Sequence, residues 1–166
     1  DNSVYFEVFM NNLILSLVAG LGATLAIGVL SYAEVSLTEV VLLMAPFGAT
    51  AVLVFGVPSS PLAQPKNVII GHFITASIGI AFSQYVEITP ITLAIATGLG
   101  VSAMLITKTT HPPAGANPIL IMASGQGWSF LFTPVLIGAV VIVLVGKALQ
   151  LLQSQYLNPR LNGQKT

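Results

Sequence analysis

Cysteine is absent, so the chain holds no disulfide framework and no thiolate metal site, and its redox compartment is not written in it. Charge is nearly absent as well. Charged residues make up 6% of the 166 positions, five basic and five acidic, for a net charge of zero. An ordinary globular protein carries about 25% charged residues, and so few charges cannot cover a water-facing surface. Composition therefore excludes a soluble domain. Neutrality excludes a nucleic-acid binder, which needs a basic surface. No H-E-x-x-H zinc motif and no G-x-S-x-G elbow occurs. No acidic residue stands near either histidine in sequence. No cofactor is expected and enzymatic chemistry is disfavoured. There is no cleavable signal pattern. The chain opens on Asp1 rather than methionine, so a short stretch is expected to precede it.

What is there is apolar. Hydrophobic residues reach 55%, and the mean hydropathy is +0.93. A spanning helix needs about 20 mostly apolar residues. Five such runs are read, at about 12–33, 38–57, 67–85, 89–107 and 130–151. The expected fold is all-α: one transmembrane helical bundle over 1–166 with about five spans and the lipid bilayer as its solvent.

The links between the runs are of two kinds. Short ones at 33–37 and 86–88, with Glu34, Glu39 and Glu87 nearby, read as tight turns at one membrane face. The other two, 57–67 and 108–118, are rich in proline, which removes a backbone donor and stops a helix. The apolar piece 119–124 is too short to span. Pro118 to Ser124 is therefore expected as a half-helix or re-entrant segment, cut from the last run by Gly125-Gln126-Gly127. Pro46-Phe47-Gly48 suggests a kink inside the second run.

The two proline-rich links also align with each other. A shift of 51 places Gly20 on Gly71, Thr38 on Thr89, Pro61 on Pro112 and Ala63 on Ala114, with 11 matches in 51 positions. The expected units are about 20–70 and 71–121, followed by the last span. Matched interruptions in repeated halves point to a transporter binding site. Lys147, Arg160 and Lys165 near the end weakly favour a cytoplasmic C-terminus.

Ionisable groups at membrane depth are expensive and face a cavity or the bundle interior. Lys66 and Lys108 adjoin the two interruptions, His72 lies one turn into the third run, and His111 heads the second link. The bland readings are a snorkelling lysine and a histidine bonded to a neighbouring carbonyl. The functional reading is an anion site. A helix start presents free N–H groups and partial positive charge, and such starts are expected at 65–67 and 114–118. Hydroxyls of Ser59, Ser60, Thr107, Thr109 and Thr110 stand beside them, and Asn67, Asn117 and Gln64 serve as caps or line the path. Pro61, Pro65, Pro112, Pro113 and Gly115 shape the breaks. Gly20, Gly22, Gly28, Gly71, Gly79, Gly98 and Gly100 are spaced for close helix packing. Tyr5, Phe6, Trp128, Phe130 and Phe132 read as interface anchors.

At His111-Pro112-Pro113-Ala114-Gly115-Ala116 the sequence resembles the HPP family of integral membrane proteins. Ser60-Pro61-Leu62-Ala63-Gln64-Pro65-Lys66-Asn67 and Ala45-Pro46-Phe47-Gly48-Ala49 resemble two further family segments, in the right order. The resemblance implies a protein of a bacterial inner membrane, cyanobacterial for instance, or of a plastid envelope. It also implies nitrite transport in nitrogen assimilation. Some bacterial members carry C-terminal regulatory domains, and with its end soon after the last run this chain is expected to be the short, membrane-only type. The expected ligand is thus a small anion, nitrite first, held by Lys108, His111, Lys66, His72, Thr109, Thr110, Asn67, Asn117 and Ser60. Nitrate and formate stay open on the motifs alone. The alternatives are a structural or assembly subunit and, further off, a His-dependent membrane enzyme. Glycine-rich faces point to a homo-oligomer, dimer or trimer.

Overall fold

The computed structural model describes residues 2–37 and 40–156, and among these every regular element is helical. Thr38, Glu39, Arg160 and Lys165, to which the sequence assigned a span boundary, a turn and an orientation signal, lie outside the described residues. The α-helices are α1 (Asn2–Ser36), α2 (Pro46–Ala51), α3 (Pro65–Tyr85), α4 (Pro90–Ile106), α5 (Asn117–Ser124) and α6 (Ile137–Tyr156). A π-helical turn, Val52–Gly56, extends α2, and another, Leu131–Leu136, leads into α6. Two 3₁₀ turns, Pro61–Ala63 and Pro112–Ala116, sit in the proline-rich links.

Among the described residues, three helical stretches are long and apolar enough to cross a membrane: Val4–Ser36, Pro65–Tyr85 and Leu131–Gln155. Pro46–Gly56 and Pro90–Ile106 are shorter apolar helices. The first of these departs from the expected second span, because residues 40–45 are not helical and α2 begins at Pro46. Proline lacks an N–H and clashes inside a helix, but fits its first turn. Pro46 is therefore a helix start rather than a kink. The non-helical stretch frees backbone donors, and Glu34 takes two of them. Its Oε2 accepts from the N–H groups of Leu42 and Leu43, each at 2.8 Å. The tight turn expected at 33–37 is instead the last turn of α1, and Glu34 is a half-buried helix residue that caps the amides of the stretch beyond it.

Helix α3 is the hub, packing against α4, α5, α6 and the Leu131–Leu136 turn. Glycine permits the closest approaches. A Cβ at Gly79 would stand 2.8 Å from Pro118 Cα, and one at Gly71 would stand 2.9 Å from the Thr109 carbonyl oxygen. Gly22 and Gly100 also face close neighbours, whereas Gly20, Gly28 and Gly98 face open space. Phe47, Leu30, Ile80, Ile121, Val135 and Ile142 fill the core. Phe130 is buried with them and is no interface anchor, whereas Tyr5, Phe6 and Phe132 are exposed. Trp128 donates its indole N–H to the Tyr85 hydroxyl at 3.2 Å. Leu13, Leu17, Leu21 and Leu25 of α1 are exposed, as side chains facing lipid would be, since lipid gives apolar groups no reason to hide.

Candidate functional site

The shift that aligns Pro61 with Pro112 places both at the first residue of a 3₁₀ turn. In the first link, Ser60 Oγ accepts from the Leu62 N–H at 3.2 Å, and Gln64 Nε2 donates to the carbonyls of Pro58 and Ser60. Pro65 then opens α3. In the second link the turn starts at Pro112 and runs straight into α5 at Asn117. The helix start expected within 114–118 is there, at Asn117, and the 3₁₀ turn that leads into it begins at the proline, which tolerates the first position. Gly115 has open space where a Cβ would stand and no left-handed backbone, so packing does not require glycine there.

The two links meet at the α3 N-terminus. Asn67 Nδ2 donates to the Thr110 carbonyl at 2.9 Å, and His111 Nδ1 lies 2.8 Å from the Leu62 carbonyl. Inside this junction is a buried polar cluster drawn from four elements. Thr50 comes from α2, His72 and Thr75 from α3, His111 from the second link and Asn117 from the start of α5. All five are at most 0% exposed. Thr50 Oγ1 lies 2.9 Å from His72 Nε2 and 3.0 Å from His111 Nε2. Asn117 Nδ2 lies 3.0 Å from His72 Nδ1, 3.2 Å from the His72 carbonyl and 3.0 Å from Thr75 Oγ1. The imidazoles meet edge to face with centroids 5.0 Å apart, and Phe47 closes on His72 at 5.5 Å.

Chemistry fixes the direction of these bonds. A carbonyl only accepts, so His111 Nδ1 carries its hydrogen. An amide nitrogen only donates, and the carbonyl of His72 beside it requires nitrogen at that end of Asn117. His72 Nδ1 therefore accepts and its Nε2 carries the hydrogen. With both rings neutral, the chain runs Asn117 to His72 to Thr50 to His111 to the Leu62 carbonyl. Thr75 donates its hydroxyl to the Gly71 carbonyl at 2.8 Å. Asn117 Oδ1 is buried and has no partner. An unmet buried polar atom is costly, about 1–3 kcal/mol, and calls for a reason.

Of the residues singled out in the sequence, His72, His111 and Asn117 come together here. Thr109 is buried nearby, its hydroxyl 2.7 Å from that of Thr107. Ser60, Asn67 and Thr110 tie the links rather than enter the cluster. Lys66 and Lys108 are exposed, one residue from Asn67 and two from Thr110, at the outer rim of the junction. Lys108 ends α4 with a left-handed backbone, φ 54°. Its N–H bonds the Leu105 carbonyl and that of Thr109 bonds the Met104 carbonyl, a helix stop that ordinarily uses glycine. Thr50 and Thr75 were not foreseen. The available signal for Thr50 was its place four residues after Pro46, directly after the Ala45–Ala49 segment that resembles a family motif. Among the described residues, no three His, Cys, Asp or Glu side chains are placed to hold a metal ion.

The family model for the HPP transmembrane region matches residues 10–157. The chain belongs to the HPP family. Two transmembrane proteins of Dictyostelium discoideum are similar to it, at 36% and 35% identity over 128 residues. Those alignments cover 72% of this chain and 45% and 41% of the relatives, so the HPP region here spans less than half the length of the curated relatives it matches. No solved structure matches the chain. Family and apolar helices together make this an integral membrane protein.

Proposed function

We propose that this HPP protein passes a small inorganic anion, nitrite foremost, across a membrane through the junction of its two proline-broken links. The observation that carries the reading is the Thr50–His72–His111–Asn117 cluster. Two histidines and an asparagine, fully buried in an apolar membrane chain, are expensive there and are best explained by what they handle. In this reading residues 40–56, non-helical up to Pro46 and helical from there, and α4 cross the bilayer alongside the three longer helices, and α5 is re-entrant. The junction is closed to solvent, so passage opens it by parting the Asn67–Thr110 and His111–Leu62 ties. Lys66 and Lys108 at the rim raise the local anion concentration. A left-handed backbone at a residue other than glycine costs about 1–2 kcal/mol, which supports a use for the Lys108 ammonium beyond ending a helix. Gly20, Gly28 and Gly98, with open space before them, leave faces on which copies can associate.

A second reading has one observation in its favour. Nearly every donor and acceptor in the cluster is already paired within the chain, as a purely structural latch would be. Uptake by proteoliposomes holding only this chain separates the two. Nitrite, nitrate, formate and chloride are offered in turn, with protein-free liposomes as the baseline. The transport reading expects uptake above that baseline, fastest for nitrite. A folded, inserted protein that moves none of the four leaves the latch.

A further inference from the structure

On the transport reading, the donors of the cluster decide what must accompany the anion. An anion needs N–H or O–H groups aimed at it, and in a low-dielectric site it also needs positive charge. The neutral cluster offers neither. His72 Nε2–H points to Thr50, His111 Nδ1–H to the Leu62 carbonyl, and the Asn117 amide hydrogens to His72 and Thr75. The Thr75 hydroxyl is spent on the Gly71 carbonyl. The one unfilled atom, Asn117 Oδ1, is an acceptor and repels an anion.

Among the described residues, no fixed positive charge nearby supplies the deficit, and Glu34 of α1, the helix packed beside α2, is an acid bonded to the Leu42 and Leu43 amides. The Phe47 ring faces His72 from α2. Helices α2, α4 and α5, both 3₁₀ turns and both π turns carry no ionisable residue. The α6 lysine, Lys147, is exposed and bonds Gln150. Lys66 and Lys108 are exposed at the rim.

A proton supplies both needs at once. Added at His111 Nε2, it turns a bare acceptor into a donor and gives the ring a positive charge. The Thr50 hydroxyl has somewhere to turn when this happens, because the Pro46 carbonyl lies 3.2 Å from Oγ1. The reverse dependence also holds, since a lone buried imidazolium is itself unstable without a counter-charge. Proton and anion therefore stabilise each other in the site, and neither occupies it well alone.

We infer that protons are co-substrates: the His72–Thr50–His111 relay takes up one proton with each anion, so that transport is an electroneutral symport of a proton with a monovalent inorganic anion. No covalent bond changes. One proton adds to a ring nitrogen as the anion binds and leaves with it on the other side.

The test uses proteoliposomes containing the whole chain, a pH-sensitive dye inside, and nitrite supplied outside. Protein-free liposomes give the leak of the neutral acid. Membrane potential is clamped with potassium and valinomycin. The expected result is uptake that rises up to about tenfold per unit of external acidification, because one proton binds per anion. Internal acidification should match nitrite one to one, and the rate should not change between inside-positive and inside-negative clamps. Nitrate, whose acid is too strong to leak through lipid, repeats the measurement without that background. Uptake driven by an inside-positive clamp, with no proton movement, overturns the inference while leaving anion transport standing. Absence of uptake for every anion overturns both. Thr50→Val, which keeps side-chain shape but cuts the relay, should uncouple or abolish proton movement. Thr50→Ser should retain it.

Discussion

Thr50 gives the sharpest single perturbation, because one oxygen joins both rings. Thr50→Val keeps the shape and removes the hydroxyl, leaving a donor on His72 and an acceptor on His111 without partners. Both contacts are short, 2.9 and 3.0 Å. In water-soluble proteins each orphaned group costs about 1–3 kcal/mol. Between membrane helices the measured average is nearer 0.6 kcal/mol per bond, with a maximum of about 1.7. The membrane figures govern here, so two bonds imply a loss of about 1–3 kcal/mol. Thr50→Ser should lose far less, since the oxygen stays. The assay is reversible unfolding in mixed micelles, followed by the fluorescence of Trp128, the only tryptophan. Imidazole nitrogen NMR adds an independent check. Wild type should show hydrogen on Nε2 of His72 and on Nδ1 of His111, with both signals displaced in Thr50→Val. Equal stability of the valine and serine variants, with unchanged ring signals, would refute the bonding scheme.

Other consequences are equally concrete. Gly79→Ala drives a methyl to 2.8 Å from the Pro118 backbone and should cost about 1–3 kcal/mol of stability. Gly98→Ala faces open space and should be neutral or stabilising by about 0.5–1 kcal/mol; the same unfolding assay reads both. Lys108→Gly relieves the left-handed backbone and should stabilise by about 1 kcal/mol, while slowing anion uptake. Lys66→Gln with Lys108→Gln should lower uptake at low salt and flatten its salt dependence, because exposed charges are screened over about 8 Å at physiological ionic strength. A salt response identical to wild type removes the lysines from the account.

Much of the helical layout was legible because lipid imposes a simple rule: long apolar runs become helices, and prolines end them. Helices α3 and α4 match the expected runs to within two residues at either end. Three of the site residues were visible for the same reason, since His72, His111 and Asn117 are polar groups inside or beside apolar runs. Thr50 was invisible because a threonine in an apolar helix ordinarily bonds its own backbone, as Thr24 does to Gly20. Only tertiary packing brings Thr50 to face both rings. The lysines drew attention by their charge, yet charge is the property that keeps them at the exposed rim. The second run failed as a single helix because hydropathy does not register where a proline must sit. Pro46 forced the start of α2, and the freed amides of Leu42 and Leu43 found Glu34, a pairing across a turn that no periodicity announces.

The central claim is that the anion passes through the buried cluster, and His111→Gln tests it most directly. Glutamine can still reach the Leu62 carbonyl but cannot take up a proton. Nitrite uptake by proteoliposomes of wild type, His111→Gln and the exposed control Ser59→Ala is compared at equal amounts of inserted protein. Loss of one charge-assisted hydrogen bond, about 1.5–3 kcal/mol, predicts a fall of about ten- to a hundredfold in His111→Gln and no change in Ser59→Ala. Wild-type uptake in His111→Gln would place the anion's path elsewhere and leave the cluster as a structural latch.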